Sequence, residues 1–248
     1  KLSPMNKIRL ITPLVFLIAA CTSPEERTET VESSNDTVHL EETVVPLDEI
    51  EPAKIMTENA EMILGEANGD LDKDGIDEKA IVFDTEREGE FGFIRELHIF
   101  KQEDGQWIEW VVSEKAILGS DGGGMMGDPF MGITIENGIL ITEHFGGSSW
   151  KWTEYDKYRF QDGDFYLIGH TSNYGKPCEY WEDVDYNLST GDIVYRFEVD
   201  DCGDDWAQEY GDDREEKFNH QLSPLPKMTE RDHGSQSFDS PKGETIYI

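Results

Sequence analysis

From Lys79 onward, apolar and polar residues alternate in short runs that are rich in β-branched and aromatic side chains. A period of two residues is typical of β-strands with one buried face. About eight runs fit this pattern, at residues 80–83, 93–100, 107–112, 133–135, 139–142, 152–160, 165–168 and 193–199. The chain is therefore predicted to form an all-β domain.

Residues that accept positive φ angles stand between successive runs. They are Asp104-Gly105, Asn137-Gly138, Asp162-Gly163 and Thr190-Gly191-Asp192. Such pairs favour the tight turns of β-hairpins, so adjacent strands are predicted to pair antiparallel. The expected fold is an antiparallel meander, arranged as a sandwich or as a partial-propeller-like sheet.

Two of these hairpin segments share a pattern. F-K-Q-E-D-G-Q-W-I-E-W begins at Phe100, and F-Q-D-G-D-F-Y-L-I begins at Phe160. Each has an aromatic residue, a glutamine, an Asp-Gly turn and a second aromatic residue. A repeated structural unit explains the likeness, and so does coincidence, because Asp-Gly turns are common.

One short helix is predicted before the strands. Pro52 suits the first turn of a helix, where its missing amide hydrogen is not needed. A loose helical stripe of apolar residues runs from Ile55 to Leu64 and ends at Gly65.

The segments on either side of the predicted domain have a different composition. Residues 21–52 are rich in Ser, Thr and Glu and bury too little apolar surface to offset the entropy of ordering. We expect an acidic disordered tether there, a β domain over residues 53–205, and a weakly ordered acidic and polar tail over residues 206–248.

The first residues have the features of an export signal. A basic stretch at residues 5–9 precedes an apolar run at residues 10–20, which is shorter than the roughly 20 residues of a membrane span. The string L-I-A-A-C that ends at Cys21 resembles the lipobox of bacterial lipoproteins. This resemblance implies a signal peptide over residues 1–20, a lipid on Cys21 and a location in the bacterial cell envelope, on the outer membrane and facing the periplasm or the surface. The alternative is an ordinary secretory signal.

The charge balance excludes one class of partner. The formal charge is −33, and it becomes −36 without residues 1–20, which contain Lys1, Lys7 and Arg9 and no acid. So acidic a surface repels phosphate backbones, which makes nucleic acid an improbable partner, and it attracts cations. Life in salty surroundings is a second explanation for the acidity.

A calcium loop is the most specific motif in the sequence. Carboxylates recur at every second position in N-G-D-L-D-K-D-G-I-D-E, and a glycine follows the third of them. This is the order of oxygen ligands that folds a short loop around Ca²⁺. The predicted ligands are Asp70, Asp72, Asp74, the carbonyl of Ile76, and Glu78. An acidic surface turn without an ion is the alternative.

The loop runs directly into a predicted strand, and in this it resembles the calcium loops of FG-GAP or VCBS-type repeats, which occur in integrin-like propellers and many secreted bacterial proteins. Residues 127–138 and 144–152 also resemble segments of small uncharacterised secreted bacterial proteins with one such loop. The resemblance implies export and a β architecture, and it brings no catalytic residue. A closed propeller would need several loops, and the chain has one complete loop.

The cysteines left after Cys21 are Cys178 and Cys202. In an exported chain these two cysteines are expected to form a disulfide. Closing that loop would stabilise the fold by roughly 3 to 4 kcal/mol. Two free thiols are the alternative.

Two stretches are candidate ligand surfaces. The glycine-rich residues 119–132 form either a packed loop or a binding loop that presents Met125, Met126 and Phe130. Trp150 and Trp152 share one side of an extended segment, where aromatic rings either stack on sugars or belong to the core.

Catalytic motifs are absent from the sequence. No G-x-S-x-G or H-E-x-x-H occurs, and the histidines have no metal-ligand spacing. We therefore expect a lipid-anchored, calcium-binding envelope protein with a binding or structural role, whose partner is an envelope protein or a glycan. The alternatives are a carbohydrate-acting or other hydrolytic envelope enzyme with a carboxylate near Trp150 and Trp152, and a subunit of a larger envelope complex.

Overall fold

Antiparallel pairing dominates the computed structural model, which describes residues 62–203 and 210–248. A four-stranded sheet has the order β1-β2-β3-β4. Its strands are β1 (Ile63–Gly69), β2 (Glu78–Gly89), β3 (Gly92–Glu103) and β4 (Gln106–Ser113). The all-β prediction is confirmed.

A seven-stranded sheet follows in the chain, and its strands lie in strict sequence order. They are β5 (Phe130–Glu136), β6 (Ile139–Gly147), β7 (Lys151–Gln161), β8 (Asp164–Lys176), β9 (Tyr180–Asn187), β10 (Asp192–Val199) and β11 (Arg214–Asn219). A 3-10 helix (Met228–Glu230) and a small hairpin of β12 (Ser237–Asp239) and β13 (Thr245–Tyr247) complete the described residues.

Asx-Gly turns connect three of the hairpins, β3-β4, β5-β6 and β7-β8, as their sequence predicts. Asp104 and Gly105 have φ angles of 52° and 79°, and they lie between the paired residues Glu103 and Gln106. The Asn137-Gly138 and Asp162-Gly163 turns have the same left-handed geometry. Positive φ at both central residues matches the right-handed twist of the flanking strands, so each turn fixes an antiparallel register.

The two similar hairpins, β3-β4 and β7-β8, pack against each other. The ring of Trp110 on β4 lies 4.6 Å from that of Phe160 on β7 and 5.1 Å from that of Phe165 on β8. At the other end of the interface, β1 approaches β5 so closely that a Cβ on Gly69 would lie 2.5 Å from Cγ2 of Ile135. The main core is therefore shared by the two large sheets.

The predicted N-terminal helix requires a correction where the structure describes it. Ile63, Leu64 and Gly65 lie in strand β1, whose residues alternate between less and more exposed positions. This alternation reflects one face packed toward β5, and the tertiary contact outweighs a weak helical pattern. The part of the predicted helix before Met62 lies outside the described residues, as do the signal peptide, Cys21 and the tether.

The segment predicted as a weakly ordered tail is structured from residue 210 onward. Met228, Ile246 and Ile248 are buried in the main core, and the amide of Leu167 donates a 2.8 Å hydrogen bond to the carbonyl of Pro226. A few apolar residues among many polar ones fix this segment, because they are buried in the core of the large sheets. No helix in the described ranges is long and apolar enough to cross a membrane.

Candidate functional site

The acidic loop connects β1 to β2 and brings part of the predicted ligand set together. Carboxylate oxygens of Asp70, Asp72 and Glu78 lie within 4.8 Å of one another. Asp74 is not in this group, and its Oδ1 accepts a 2.7 Å hydrogen bond from the amide of Ile76. The convergence of carboxylates at one point is what a calcium site requires.

Backbone amides bonded to the aspartates shape the loop. The amide of Gly75 donates to Oδ2 of Asp70 at 3.0 Å, and that of Asp74 donates to Oδ1 of Asp72 at 3.1 Å. Lys73 and Gly75 both have positive φ angles, of 68° and 92°. Gly75 adopts this conformation without strain because it has no Cβ. The loop therefore turns sharply enough to bring both ends of the acidic run together.

Burial makes these carboxylates costly without a cation. Glu78 is 1% exposed, and its Oε2 accepts a 2.6 Å hydrogen bond from the amide of Leu71. Desolvation raises the pKa of Glu78, and the charges of Asp72 and Asp74 raise it further. Oδ1 of Asp70 is buried and has no hydrogen-bond partner among the described residues. A divalent cation would satisfy that oxygen and offset the repulsion.

A second polar cluster lies on the inward face of the seven-stranded sheet. Asp156 on β7 stands opposite His170 on β8, and its Oδ1 accepts a 2.7 Å hydrogen bond from Nδ1 of that ring. Two residues earlier on β7 and on the same face, Glu154 pairs with His144 on β6 and with Ser172 on β8. Asp156, His144 and His170 are buried.

Two residues of the C-terminal segment complete this cluster. Arg231 donates from Nε to Asp156 at 2.6 Å and from Nη2 to Glu154 at 2.9 Å. His233 lies 2.6 Å from Glu154 through Nδ1 and 3.2 Å from the carbonyl of Lys115 through Nε2. Both ring nitrogens of His233 therefore face oxygen acceptors, one on each side of the ring.

Charge compensation governs the protonation of the cluster. Burial alone would raise the pKa of Asp156, but Arg231 and the hydrogen bond from His170 hold it far below its usual range. Burial, together with the nearby His233, lowers the pKa of His144 to about 4. Ligand atoms of Glu154, Asp156 and His233 lie within 4.8 Å of one another, but Arg231 already supplies the positive charge that a metal would bring.

A cavity of about 480 Å³ opens beside this cluster. The inward faces of β7 to β10 form its wall, and the end of the C-terminal hairpin, Thr245 to Ile248, covers it. Its lining includes Trp152, His170, Tyr174, Glu182, Tyr195 and Tyr247. Oε1 of Glu182 accepts a 2.7 Å hydrogen bond from the hydroxyl of Tyr195, and burial raises the pKa of Glu182.

No family model, curated protein or solved structure matches this chain.

Trp150 and Trp152 occupy different surroundings. Trp150 stacks on Tyr174 with ring centroids 5.3 Å apart and also contacts Tyr180 at 5.0 Å. Trp152 lines the cavity, and its ring fills the space where a side chain on Gly146 would lie. The predicted aromatic row therefore contributes one residue to an aromatic stack and one to a cavity wall.

The glycine-rich segment packs closely against the turn that joins β2 to β3. Amides of Ser120 and Asp121 donate to the carbonyls of Phe93 and Phe91 at 3.1 and 3.0 Å. A Cβ on Gly119 would lie 2.3 Å from the carbonyl oxygen of Phe91. The two backbone segments are therefore too close for any side chain at position 119.

The apolar residues of this segment differ in exposure. Met125 is 87% exposed, and Met126 is also exposed. Phe130 belongs to β5 and packs against the main core. Phe130 is thus a packing residue in this structure, whereas the two methionines face outward.

Cys178 and Cys202 form a disulfide, with a Cα–Cα distance of 5.0 Å. The bond ties the turn between β8 and β9 to the segment after β10. It closes one end of the seven-stranded sheet beside the aromatic stack of Trp150, Tyr174 and Tyr180.

Sequence patterns missed the polar cluster and the cavity. His144, His170 and His233 stand far apart in the chain, so their spacing predicts no site. One signal was present: Glu154 and Asp156 share a strand face with Trp152 and Tyr158, which places acids where the alternation requires buried residues. Buried acids on a core-facing position imply partners elsewhere in the chain.

Proposed function

We propose that this protein is an exported, lipid-anchored, calcium-binding protein of the bacterial cell envelope, with a binding role rather than a catalytic one. The convergence of Asp70, Asp72 and Glu78, with a buried oxygen of Asp70 that lacks a partner, carries the calcium proposal. The lipobox-like sequence that ends at Cys21 supports the anchor.

The position of the loop suggests a structural role for the ion. A Cβ on Gly138, in the turn between β5 and β6, would lie 3.3 Å from the carbonyl oxygen of Asp70. Calcium bound by the loop would thus fix the start of β2 next to a turn of the other large sheet. Its carboxylates would be used as ligands, so the ion would stabilise the domain without taking part in a reaction.

A hydrolytic envelope enzyme acting on carbohydrate is the second candidate. Trp152 lines the cavity together with Glu154 and Glu182, and an aromatic ring beside carboxylates is a feature of sugar-cleaving sites. The pKa of Glu182 is raised by burial, whereas that of Glu154 is lowered by His233 against the effect of burial. Carboxylates with separated pKa values can serve as acid and base. Release of nitrophenol from chromogenic glycosides, lost in Glu182→Gln, would favour this candidate.

Calcium titration of the full chain by calorimetry tests the main proposal. We expect saturable binding, loss of at least tenfold in affinity in Asp72→Asn, and little change in Asp77→Asn. Asp77 is an exposed acid of the same loop that lies outside the converging group. Asp77→Asn therefore removes the same charge as Asp72→Asn without removing a converging carboxylate. Equal calcium binding by both variants would show that only the overall acidity attracts the ion.

A further inference from the structure

The cavity beside the polar cluster is separate from the calcium loop, and its charges are unevenly compensated. Arg231 neutralises Glu154, and Arg214 pairs with Glu244 at 2.5 Å. Lys176 pairs with Glu179. These ion pairs compensate Glu154, which lines the cavity, and two acids close to its wall, Glu179 and Glu244.

Glu182 is the exception. In the described part of the chain its hydrogen-bond partner is the hydroxyl of Tyr195, and no Lys, Arg or His side chain forms an ion pair with it. The charge of Arg214 acts on Glu182, but Arg214 pairs with Glu244, whose charge acts in the opposite sense. A partly buried carboxylate with no cation in contact is unfavourable unless a ligand or a proton compensates it. The side chain also lines the cavity, where a ligand could reach it.

Aromatic rings surround the same space. Trp152, Tyr174 and Tyr247 line the cavity, and both tyrosines are partly exposed. Rings beside an anionic group form the environment that binds ammonium ions, because the faces of the rings carry negative potential. Neutral sugars also stack on such rings, but they leave an unpaired carboxylate uncompensated.

His170 adds a second polar group to the wall. Its Nδ1 lies 2.7 Å from Oδ1 of Asp156, and no described residue hydrogen-bonds its Nε2, while the ring lines the cavity. The cavity therefore presents a carboxylate, an imidazole ring and aromatic faces.

We propose that this cavity binds a small organic cation, whose ammonium group is held by Glu182 and by the aromatic rings of Trp152 and Tyr174. The inference rests on the binding role proposed above and is independent of the calcium loop. The ligand is then an ammonium compound, and Glu182 is the residue that selects for its charge.

The test compares choline with its uncharged isostere 3,3-dimethyl-1-butanol by calorimetry on the full chain in 150 mM salt, which screens general attraction to an acidic protein. We expect choline to bind at least tenfold more tightly than the alcohol. Glu182→Gln, which keeps an acceptor for Tyr195, should weaken choline binding at least tenfold and leave the alcohol unaffected.

Asp185→Asn is the matched control. It removes the same charge from the same strand but from an exposed position on the opposite face, so choline binding should be retained. An equal loss of choline affinity in both variants would show that only the overall charge of the protein matters, and it would overturn the proposal. If Glu182→Gln does not fold, the comparison of the two probes on the unmodified chain decides the question.

Equal affinity for choline and the alcohol, tighter binding of glucose than of choline, or no binding of choline would each overturn the inference. Calcium binding measured on the same sample separates the two proposals. A chain that binds calcium but not choline would retain the calcium site and lose the cavity assignment.

Discussion

Nε of Arg231 donates a 2.6 Å hydrogen bond to Oδ2 of Asp156, across 75 residues of sequence. The carboxylate has no exposed surface, and the guanidinium is almost as deeply buried. The same arginine contacts Glu154 at 2.9 Å. One side chain from the C-terminal segment thus compensates two acids in the middle of the large sheet.

Replacing Arg231 should therefore destabilise the fold strongly. In Arg231→Met, Asp156 and Glu154 lose their main cation, and breaking a buried pair from one side typically costs about 3 to 5 kcal/mol. Urea unfolding followed by circular dichroism measures the change. Arg196→Gln is the control, because the Arg196–Glu215 pair is exposed to solvent and its loss should have little effect. Similar midpoints for the two variants would contradict the role given to Arg231.

Calcium should raise the thermal stability of the domain. An ion that binds only the folded chain adds about 2.7 kcal/mol at a free concentration 100 times its dissociation constant. Adding a chelator should lower the midpoint of thermal unfolding in the native chain, and Asp72→Asn should unfold at the lower temperature with or without calcium. A midpoint that does not respond to chelator would count against the ion.

His144 should make the fold sensitive to mildly acidic pH. Its pKa is lowered to about 4 by burial, whereas the unfolded chain takes up the proton near pH 6.5. The unfolded state therefore binds more protons between these values, so stability falls as pH drops from about 6.5 to about 4, by about 3 kcal/mol in total.

The measurement is the free energy of unfolding at several pH values. In His144→Gln, whose amide oxygen can still accept the hydrogen bond that Leu118 donates to the His144 ring, the slope between pH 6.5 and 4 should be shallower. Asp156 acts in a lower window, because a lowered acid pKa stabilises the fold above the unfolded value near 4 and this stabilisation is lost below it. Parallel profiles for the two proteins would refute the assignment to His144.

Reduction of the disulfide should weaken the sheet that carries the cavity. Cys178 and Cys202 are 24 residues apart, and closing a loop of that size stabilises the fold by about 3.5 kcal/mol in the chain-entropy account. The double variant Cys178→Ser/Cys202→Ser should unfold at lower urea concentration. Thiol labelling without reductant should not modify either cysteine of the native chain, and ready labelling of Cys178 would argue against the bond.

Local signals predicted the strands well. Each of the eight predicted runs lies within a strand of the structure, because alternation and Asx-Gly turns act over a few residues. Strands β1, β9, β11, β12 and β13 were missed, the last three of them in the segment predicted as a tail. The reasons differ for β1 and β9. β1 is a short strand with two glycines, and its contact with Ile135 comes from a distant part of the sequence. β9 contains several acids, which obscure its alternation.

The sequence by itself determined the all-β class, the hairpin turns and the acidic loop, since each depends on neighbours in the chain and on the charge or φ preference of single residues. Only the tertiary structure decided that Arg231 and His233 would reach Asp156 and Glu154, and that the final hairpin would cover a cavity with Glu182 in its wall. Burial creates these relationships: an acid on the inward face of a sheet must find a cation or a donor, and the partner can come from any part of the chain that packs against that face.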